Sequence, residues 1–244
     1  MGLISVVIPA RNEAENIART ISGISEEFKW NHWSYEIIVV NDGSTDNTED
    51  VVSRLSEHDS SVRLIRNEAP FGFGNAIKKG LDHFQGDYVI ITMADSSDRP
   101  GAMVEYVRTM RDGYDCCFGS RWNKDAAVVG YPWLKKVINR MANWFIQILF
   151  GLRYNDVTNA FKGYSKEVIE GIKPVLSHHF NITVELPLKA IVRGYTYKII
   201  PTDWHERRSG KTNLKIPEMG SRYLFIILYV LLEKLLSRGD YRRK

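Results

Sequence analysis

Cysteine is almost absent from this 244-residue chain: Cys116 and Cys117 are the only two, and they are neighbours. Adjacent cysteines cannot staple a fold, and without further ligands they make no zinc site, so disulfide scaffolds and zinc modules are excluded. They lie in an apolar run, residues 114–119, that reads as a buried strand. The first half of the chain has no internal repeat and no low-complexity linker. One large domain, or one domain with an appendage, is therefore expected, with enough residues to bury a sizeable core. No apolar run reaches the ~20 residues that a spanning helix needs. Strand-like sequence starts at Leu3, which leaves no room for a signal peptide. The sequon Asn181-Ile182-Thr183 has no mark of secretion beside it, so a cytoplasmic protein is expected. Excess charge is also slight. The net +4 resides wholly in residues 221–244, where Arg222, Lys234, Arg238, Arg242, Arg243 and Lys244 face only Glu233 and Asp240. Charged residues at 25% and apolar ones at 44% are ordinary for a globular protein. No nucleic-acid partner is expected from so modest a balance.

What is present is a regular alternation. Leu3-Ile4-Ser5-Val6-Val7-Ile8-Pro9 is β-rich and stopped by proline, and a helix with acidic residues in its first turn follows from Asn12. The same unit recurs with a strand over 35–40 and a helix to about Ser56. A third has a strand over 62–66 and a helix through Leu81, and a fourth has a strand over 88–91. A fifth strand is expected over 115–119 and a last one over 195–201. Short apolar strands alternating with helices predict an α/β fold, a doubly wound, mostly parallel sheet with helices on both faces. A Rossmann dehydrogenase is argued against, since Pro9-Ala10-Arg11-Asn12 stands where a G-x-G-x-x-G should follow the first strand. Gly72-Phe73-Gly74 comes after the third strand and lacks the third glycine. These glycines suit a loop packed beside a nucleotide, or simply a flexible loop.

The chain is organised around Ile90-Ile91-Thr92-Met93-Ala94-Asp95-Ser96-Ser97-Asp98-Arg99-Pro100. A buried strand ends there in a small acidic turn, and Pro100 starts a helix. Carboxylates just past a strand end sit where open α/β sheets bind ligands. Asp95 and Asp98, with Ser97 between them, make a hard oxygen site for Mg²⁺ or Mn²⁺ carrying a diphosphate. The alternative is that they only cap the next helix. At the end of the second strand, Asp42 can accept hydrogen bonds from a base or ribose, while Asp46 with Thr48 can cap a helix.

The second half supplies an acceptor side. A helix over 132–150 places Trp133, Val137, Met141, Trp144, Phe145 and Ile148 on one face, and Lys136, Asn139, Arg140, Asn143 and Gln147 on another. A lipid phosphate needs cations beside apolar surface, and Arg121, Lys135 or Lys136, and Arg140 could provide the charge. A solvated polar face on a core helix is the other reading. Glu185, on a helix over 181–193, either orients an acceptor phosphate or sugar hydroxyl, or pairs with Lys189 or Arg193. Arg207, Arg208 and Lys211 around Gly210 suit a loop that closes on a diphosphate. From Pro217 a helix is expected. Twelve of the fourteen residues from 223 to 236 are apolar, a stretch of roughly 21 Å that is too short to span a bilayer. With its basic tail it reads as an interfacial anchor on anionic lipid, or as a helix buried against a partner chain, including a second copy.

Val6-Val7-Ile8-Pro9-Ala10-Arg11-Asn12-Glu13, Val39-Val40-Asn41-Asp42-Gly43-Ser44-Thr45-Asp46 and Ala94-Asp95 each stand at a strand end. Together they resemble the family 2 glycosyltransferases of the GT-A fold. Gly119-Ser120-Arg121, Asp156-Val157-Thr158-Asn159-Ala160-Phe161-Lys162-Gly163-Tyr164 and Glu185-Leu186-Pro187-Leu188-Lys189-Ala190 resemble the polyprenyl-phosphate branch, typified by dolichyl-phosphate mannose synthase. The resemblance covers about residues 3–213. It implies that Pro9, Ala10, Asn12, Glu13, Asp42 and Ala94 hold the nucleotide. Asp95 would serve nucleotide and metal, and Arg207 would match a conserved loop arginine. One departure stands out: an Asp usual two residues before Asp95 is Met93 here, and a thioether is a poor ligand for a hard cation.

The reading is a metal-dependent, inverting glycosyltransferase with a GT-A-like catalytic domain over 1–215 and a membrane-associating or partner-binding helix over 216–244. It would move a sugar from a nucleotide-diphosphate sugar to a polyprenyl phosphate, peripheral to the membrane. Two alternatives stay open. One is a saccharide or lipid-linked oligosaccharide acceptor, for which Glu185 or another carboxylate would act as base. The other is a non-catalytic nucleotide-binding scaffold.

Overall fold

Most strands of the sheet form where apolar β-formers cluster, as in β-rich stretches such as residues 4–8 and 37–40. The computed structural model describes residues 2–205, 216–237 and 239–243. In chain order the elements are β1 (Ile4–Ala10), α1 (Ile17–Trp30), β2 (Tyr35–Asn41), α2 (Thr48–His58), β3 (Val62–Arg66), α3 (Phe73–Leu81), β4 (Tyr88–Ile91), α4 (Pro100–Arg111) and β5 (Cys116–Ser120). There follow β6 (Val128–Val129), α5 (Trp133–Phe150), β7 (Lys162–Ser165), α6 (Lys166–Gly171), α7 (Ile182–Val192), β8 (Tyr197–Pro201), β9 (Trp204–His205) and α8 (Ile216–Leu236).

Seven strands make one sheet in the order β3-β2-β1-β4-β7-β5-β8. All neighbours run parallel except β7, which is antiparallel to both β4 and β5. Alternate residues of the strands feed two separate cores. Val6, Ile8, Ile37 and Val39 face α1 and α4, while Val7, Ile38 and Val40 face α3, α7 and α8. The adjacent cysteines obey the same alternation, Cys116 on one side and Cys117 on the other, both free and buried. Burial pushes the Cys117 thiol up to about 12.

The doubly wound expectation holds, with one strand of this sheet missed and, besides it, the short β6–β9 pair. Lys162-Gly163-Tyr164-Ser165 has no apolar run to announce it, yet it lies between β4 and β5. Because β7 is reversed, its first residue falls at the edge where its neighbours end: Ile91 and Phe118 are both in register with Lys162. That edge gathers the ends of β1, β2, β4 and β5, and it is where ligands bind in such sheets.

The C-terminal helix is tied to this body. Ile226, Ile227 and Val230 are buried in the core shared with α7, while Leu224, Phe225, Leu228, Leu232 and Leu235 face outward. The two charges that interrupt its apolar run both have partners in the domain. Glu233 takes a bidentate pair from Arg193 at 2.7 and 3.0 Å, and Lys234 donates to the Phe150 carbonyl at the end of α5. Tyr223 donates to the Phe180 carbonyl at 3.1 Å. Of the basic tail expected to meet lipid, Arg243 turns back to Asp115 at 2.8 Å and to Glu167. A carboxylate inside its own domain offers that guanidinium a fixed partner. Arg238 and Lys244 lie outside the described residues. Among the described residues no helix is long and apolar enough to cross a membrane.

Removing one member of the buried Arg193–Glu233 pair leaves the other charge stranded. Glu233→Ala is expected to cost about 3–5 kcal/mol in urea unfolding. A loss below about 1 kcal/mol, the level of an exposed pair, would mean that α8 does not anchor through this contact.

Candidate active site

The loops after β1 and β2 are sewn together, and they make a cradle at the strand ends. Asn12, with φ 56, donates its N–H to Ser44 Oγ at 3.0 Å, and its Oδ1 accepts from Thr45 N at 2.8 Å. Glu13 N donates to Thr48 Oγ1 at 2.8 Å, and Ala14 N to Asp46 Oδ2 at 3.2 Å. Asp46 also takes Thr48 N at 2.9 Å, the local capping role expected of it. Asp42 is buried at the cradle's floor. Its Oδ1 accepts from Asn67 Nδ2 at 2.7 Å and from Gly72 N at 3.0 Å, leaving Oδ2 to take an N–H or O–H from a nucleoside. The glycines of the next loop serve close approach. Gly72 brings its amide to Asp42, and a Cβ on Gly74 would lie 2.7 Å from the His178 backbone. Across the cradle, Gly43 has φ +68, and a Cβ there would meet the Phe71 ring at 2.8 Å. Pro9 and Ala10 close β1 in register with Val40 and Asn41.

The acidic turn after β4 is held from several sides. Thr20 of α1 donates to the Ala94 carbonyl at 2.9 Å and meets Ser96 Oγ at 2.7 Å. Ser97 N donates to Asp95 Oδ1 at 3.1 Å, and Thr92 Oγ1 to Asp98 Oδ2 at 3.0 Å. The helix-capping alternative fails here: the N-cap of α4 is Arg99, and no side chain accepts at that position. Burial, and then the neighbouring Asp95 charge, push the Asp98 carboxyl up to about 6 against the hydrogen bonds from Met93 and Thr92. A buried Asp98 carboxyl raised in part by a neighbouring carboxylate fits a hard divalent cation, whose charge would relieve the repulsion. No group of three His, Cys, Asp or Glu suited to a metal occurs among the described residues. Such an ion would therefore rest on this turn and on substrate oxygens, as Mg²⁺ commonly does.

Beside the turn stands a buried charge row that sequence reasoning missed. Asp156 is fully buried and accepts from Arg121 three times, from its backbone N at 2.9 Å and from Nε and Nη2 at 2.8 Å each. Arg121, expected to bind an acceptor phosphate, thus spends one edge of its guanidinium on Asp156. Lys162, also buried, donates to the Val157 carbonyl at 3.0 Å. Burial lowers its ammonium to about 7, although Asp156 pulls the other way. The motif containing both residues was visible, but not their burial together.

The helix α5 is only partly sunk in the core: Ile146 and Phe150 are buried, and so is one polar residue, Asn143. Asn143 is 1% exposed and shares Thr158 Oγ1 with Asn139, at 3.0 and 2.8 Å. Most of its large apolar residues point outward, with Trp133 74% and Met141 and Trp144 each 65% exposed. The polar face is therefore only partly solvated. Lys136 and Arg140 stay exposed and lean on Trp122, their charged groups 5.6 and 5.7 Å from its ring centre.

Glu185 requires a correction. It is fully buried, its two oxygens accepting from Leu176 N at 2.8 Å and Ser177 N at 2.7 Å, with Lys189 at 2.9 Å. Both its oxygens are engaged, by the 174–177 loop and by Lys189, and its full burial makes it a structural ion-pair partner rather than a substrate-facing group. Arg207, Arg208 and Lys211 lie outside the described residues.

Residues 5–172 match the model of the family described as Glycosyl transferase family 2. Glycosyltransferase AglD of Haloferax volcanii is 29% identical over 227 residues, 91% of this chain and 36% of AglD. Polyprenol monophosphomannose synthase of Mycolicibacterium smegmatis is 28% identical over 215 residues, 86% of this chain and 80% of that protein. The chain thus spans about a third of AglD's length but most of the synthase's. Among solved structures, glucosyl-3-phosphoglycerate synthase from Mycobacterium tuberculosis, in complex with Mn²⁺, uridine diphosphate and glucosyl-3-phosphoglycerate, superposes with a TM-score of 0.71. At 19% identity, over 96% of this chain and 80% of that one, the likeness establishes the GT-A fold.

Lys162 makes stability depend on pH with a definite sign. Below about pH 7 both folded and unfolded chains are protonated, and the folded state bears the full cost of a buried ammonium. Between about 7 and the ordinary 10.5 the unfolded chain binds more protons, so stability rises with pH. Lys162→Met should therefore raise the melting temperature most near about pH 6, with a gain that shrinks towards about pH 9.5. A pH-independent effect would show that Lys162 is not a depressed lysine.

Proposed function

We propose, for a chain that belongs to glycosyl transferase family 2, that it transfers a sugar from a nucleotide-diphosphate sugar to a polyprenyl phosphate, with inversion, at a membrane surface. The observation that carries this reading is α5: exposed cations, with no carboxylate partner for Lys136 or Arg140 among the described residues, border an outward apolar face. A phosphate on an apolar chain matches both halves of that surface at once. The name of the mannose synthase relative points to the same acceptor class.

In this reading the donor's base and ribose lie in the cradle of Pro9, Ala10, Asn12, Glu13 and Asp42. Asp95 and Asp98, with Ser97, would hold Mg²⁺ or Mn²⁺, which supplies Lewis-acid neutralisation of the departing diphosphate. Arg207, Arg208 and Lys211 would add cationic stabilisation as the charge develops. Arg121, Lys136 and Arg140 orient the acceptor phosphate for in-line attack on the anomeric carbon. The acceptor is already an anion near neutral pH, so no proton has to be removed. That agrees with Glu185 being sequestered, since a saccharide acceptor would need a base there. Catalysis is then mostly positioning and electrostatics.

The membrane contact follows from the same surface. From Trp133 to Phe150, α5 carries Lys135, Lys136 and Arg140 and no acid. Its outer face and that of α8 suit an anionic lipid surface on which both helices lie without crossing. A two-fold contact between copies through α5 would instead set these cations against themselves.

A transfer assay with radiolabelled nucleotide sugars and farnesyl phosphate tests the reaction. Label should enter the organic phase, disappear with EDTA, and fall at least ~100-fold in Asp95→Ala, the scale of a lost transition-state charge contact. Label confined to water-soluble saccharide would replace the acceptor. Nucleotide binding without turnover would leave a scaffold. Separately, Trp144→Asp should release the protein from phosphatidylglycerol vesicles in a sedimentation assay while leaving transfer to short, soluble acceptors intact. Equal vesicle binding by wild type and variant would sink the docking face.

A further inference from the structure

Trp122 belongs to no motif discussed above, yet three cations meet on it. The Arg121 and Arg140 guanidinium carbons and the Lys136 ammonium lie 5.6, 5.7 and 5.6 Å from its ring centroid. Among the described residues only Arg121 of the three has a carboxylate partner, Asp156. Lys136 and Arg140 stand one helical turn apart on α5, a like-charge spacing that is unfavourable by itself. In water, two such side chains would swing apart. The indole face offsets this, because its quadrupole attracts cations without cancelling their charge.

The ring is itself fixed. Nε1 donates to Asn139 Oδ1 at 2.9 Å, and Asn139 donates in turn to Thr158 Oγ1 at 2.8 Å. Tyr131 packs edge-on against it at 5.4 Å and continues to Trp204 at 4.8 Å. Arg121 also lies over Tyr131, at 5.6 Å. Trp204 is in turn bridged to Asp98 of the acidic turn by backbone pairing. The aromatic row therefore runs from the metal-binding turn to the cations of α5.

We propose that Trp122 is the positioning residue of the acceptor subsite: a neutral plate that gathers Arg121, Lys136 and Arg140 without neutralising them, so that Lys136, Arg140 and the edge of Arg121 not engaged by Asp156 stand ready for a phosphate monoester. An acidic residue at this position would gather the cations equally well but would neutralise them. An aliphatic one would leave them to disperse. This rests on the acceptor reading given above, but the assignment concerns anion binding and is measurable without turnover.

The experiment is calorimetric titration of farnesyl phosphate into wild type, Trp122→Phe and Trp122→Leu, with melting temperatures and nucleotide-diphosphate affinities as controls. Trp122→Leu should weaken farnesyl phosphate binding about tenfold, as the loss of several exposed cation–π contacts implies. Trp122→Phe should recover to within about threefold, since a ring remains. Nucleotide affinity should change in neither. Where turnover is measurable, the loss should appear in the acceptor KM and not in kcat. Equal weakening in Phe and Leu variants would assign the effect to the lost N–H to Asn139 and overturn the proposal. Unchanged phosphate binding in Trp122→Leu would overturn it too, as would a parallel fall in nucleotide affinity and melting temperature. Farnesyl phosphate bound in a Trp122-dependent way by an enzyme that transfers no sugar to it would remove the transfer reading and leave this assignment standing.

Discussion

Asp156 accepts three hydrogen bonds from Arg121 in a place that water does not reach, and the proposed acceptor half of the site is arranged around that contact. A buried carboxylate is tolerable only with a charged partner and full hydrogen bonding. Asp156 therefore fixes both the backbone and the guanidinium of Arg121 where β5 ends. The surrounding segment is locked in the same way. Tyr154 donates to the Gly119 carbonyl at 3.0 Å, and Ser120 donates to Asn155 Oδ1 at 2.6 Å. With that edge rigid, Trp122 has a defined place, and the side chains of α5 have something to settle against.

The same low dielectric governs the donor side with the opposite outcome. Burial, and then the nearby Asp95, raise Asp98, while the Arg121 charge pulls the other way. Along α5, Lys135, Lys136 and Arg140 stand with no acid on the helix. In the proposed reaction, phosphate-bearing substrates would lie against both regions. The buried Lys162 stands between these regions, where β7 runs backwards between β4 and β5. Its position follows from strand direction: a parallel β7 would have brought its other end, at Ser165, to this edge.

The helix α5 shows how a common periodicity can mislead. An apolar stripe on a helix ordinarily faces the core. In α5 the stripe of Trp133, Val137, Met141, Trp144 and Ile148 faces outward, while Asn139 and Asn143 find inward partners around Thr158 beside the buried Ile146 and Phe150. A buried asparagine is affordable when its donors and acceptors are met. The large side chains then remain outside, which is unusual for a surface meant only for water.

The sequence by itself determined the strands and the donor cradle. Uninterrupted runs such as Val6-Val7-Ile8 and Ile37-Ile38-Val39-Val40 form strands whatever surrounds them. The proline, glycine and acidic turns that end them are local chemistry, so Asp42, Asp95 and Asp98 were legible as strand-end residues. The family resemblance rested on the same local motifs, and the match over residues 5–172 agrees with it. Tertiary structure decided what depends on partners distant in the chain. The reversed β7 had no apolar signature of its own. Glu185 was equally consistent with a substrate role until Leu176 N and Ser177 N were found on its oxygens. Whether Lys136 and Arg140 spread into solvent or converge on Trp122, and which face of α5 meets water, could be settled only once β5, α5 and the 153–162 segment were packed. Side-chain period gives the faces of a helix, and only the satisfaction of buried polar groups says which face goes in.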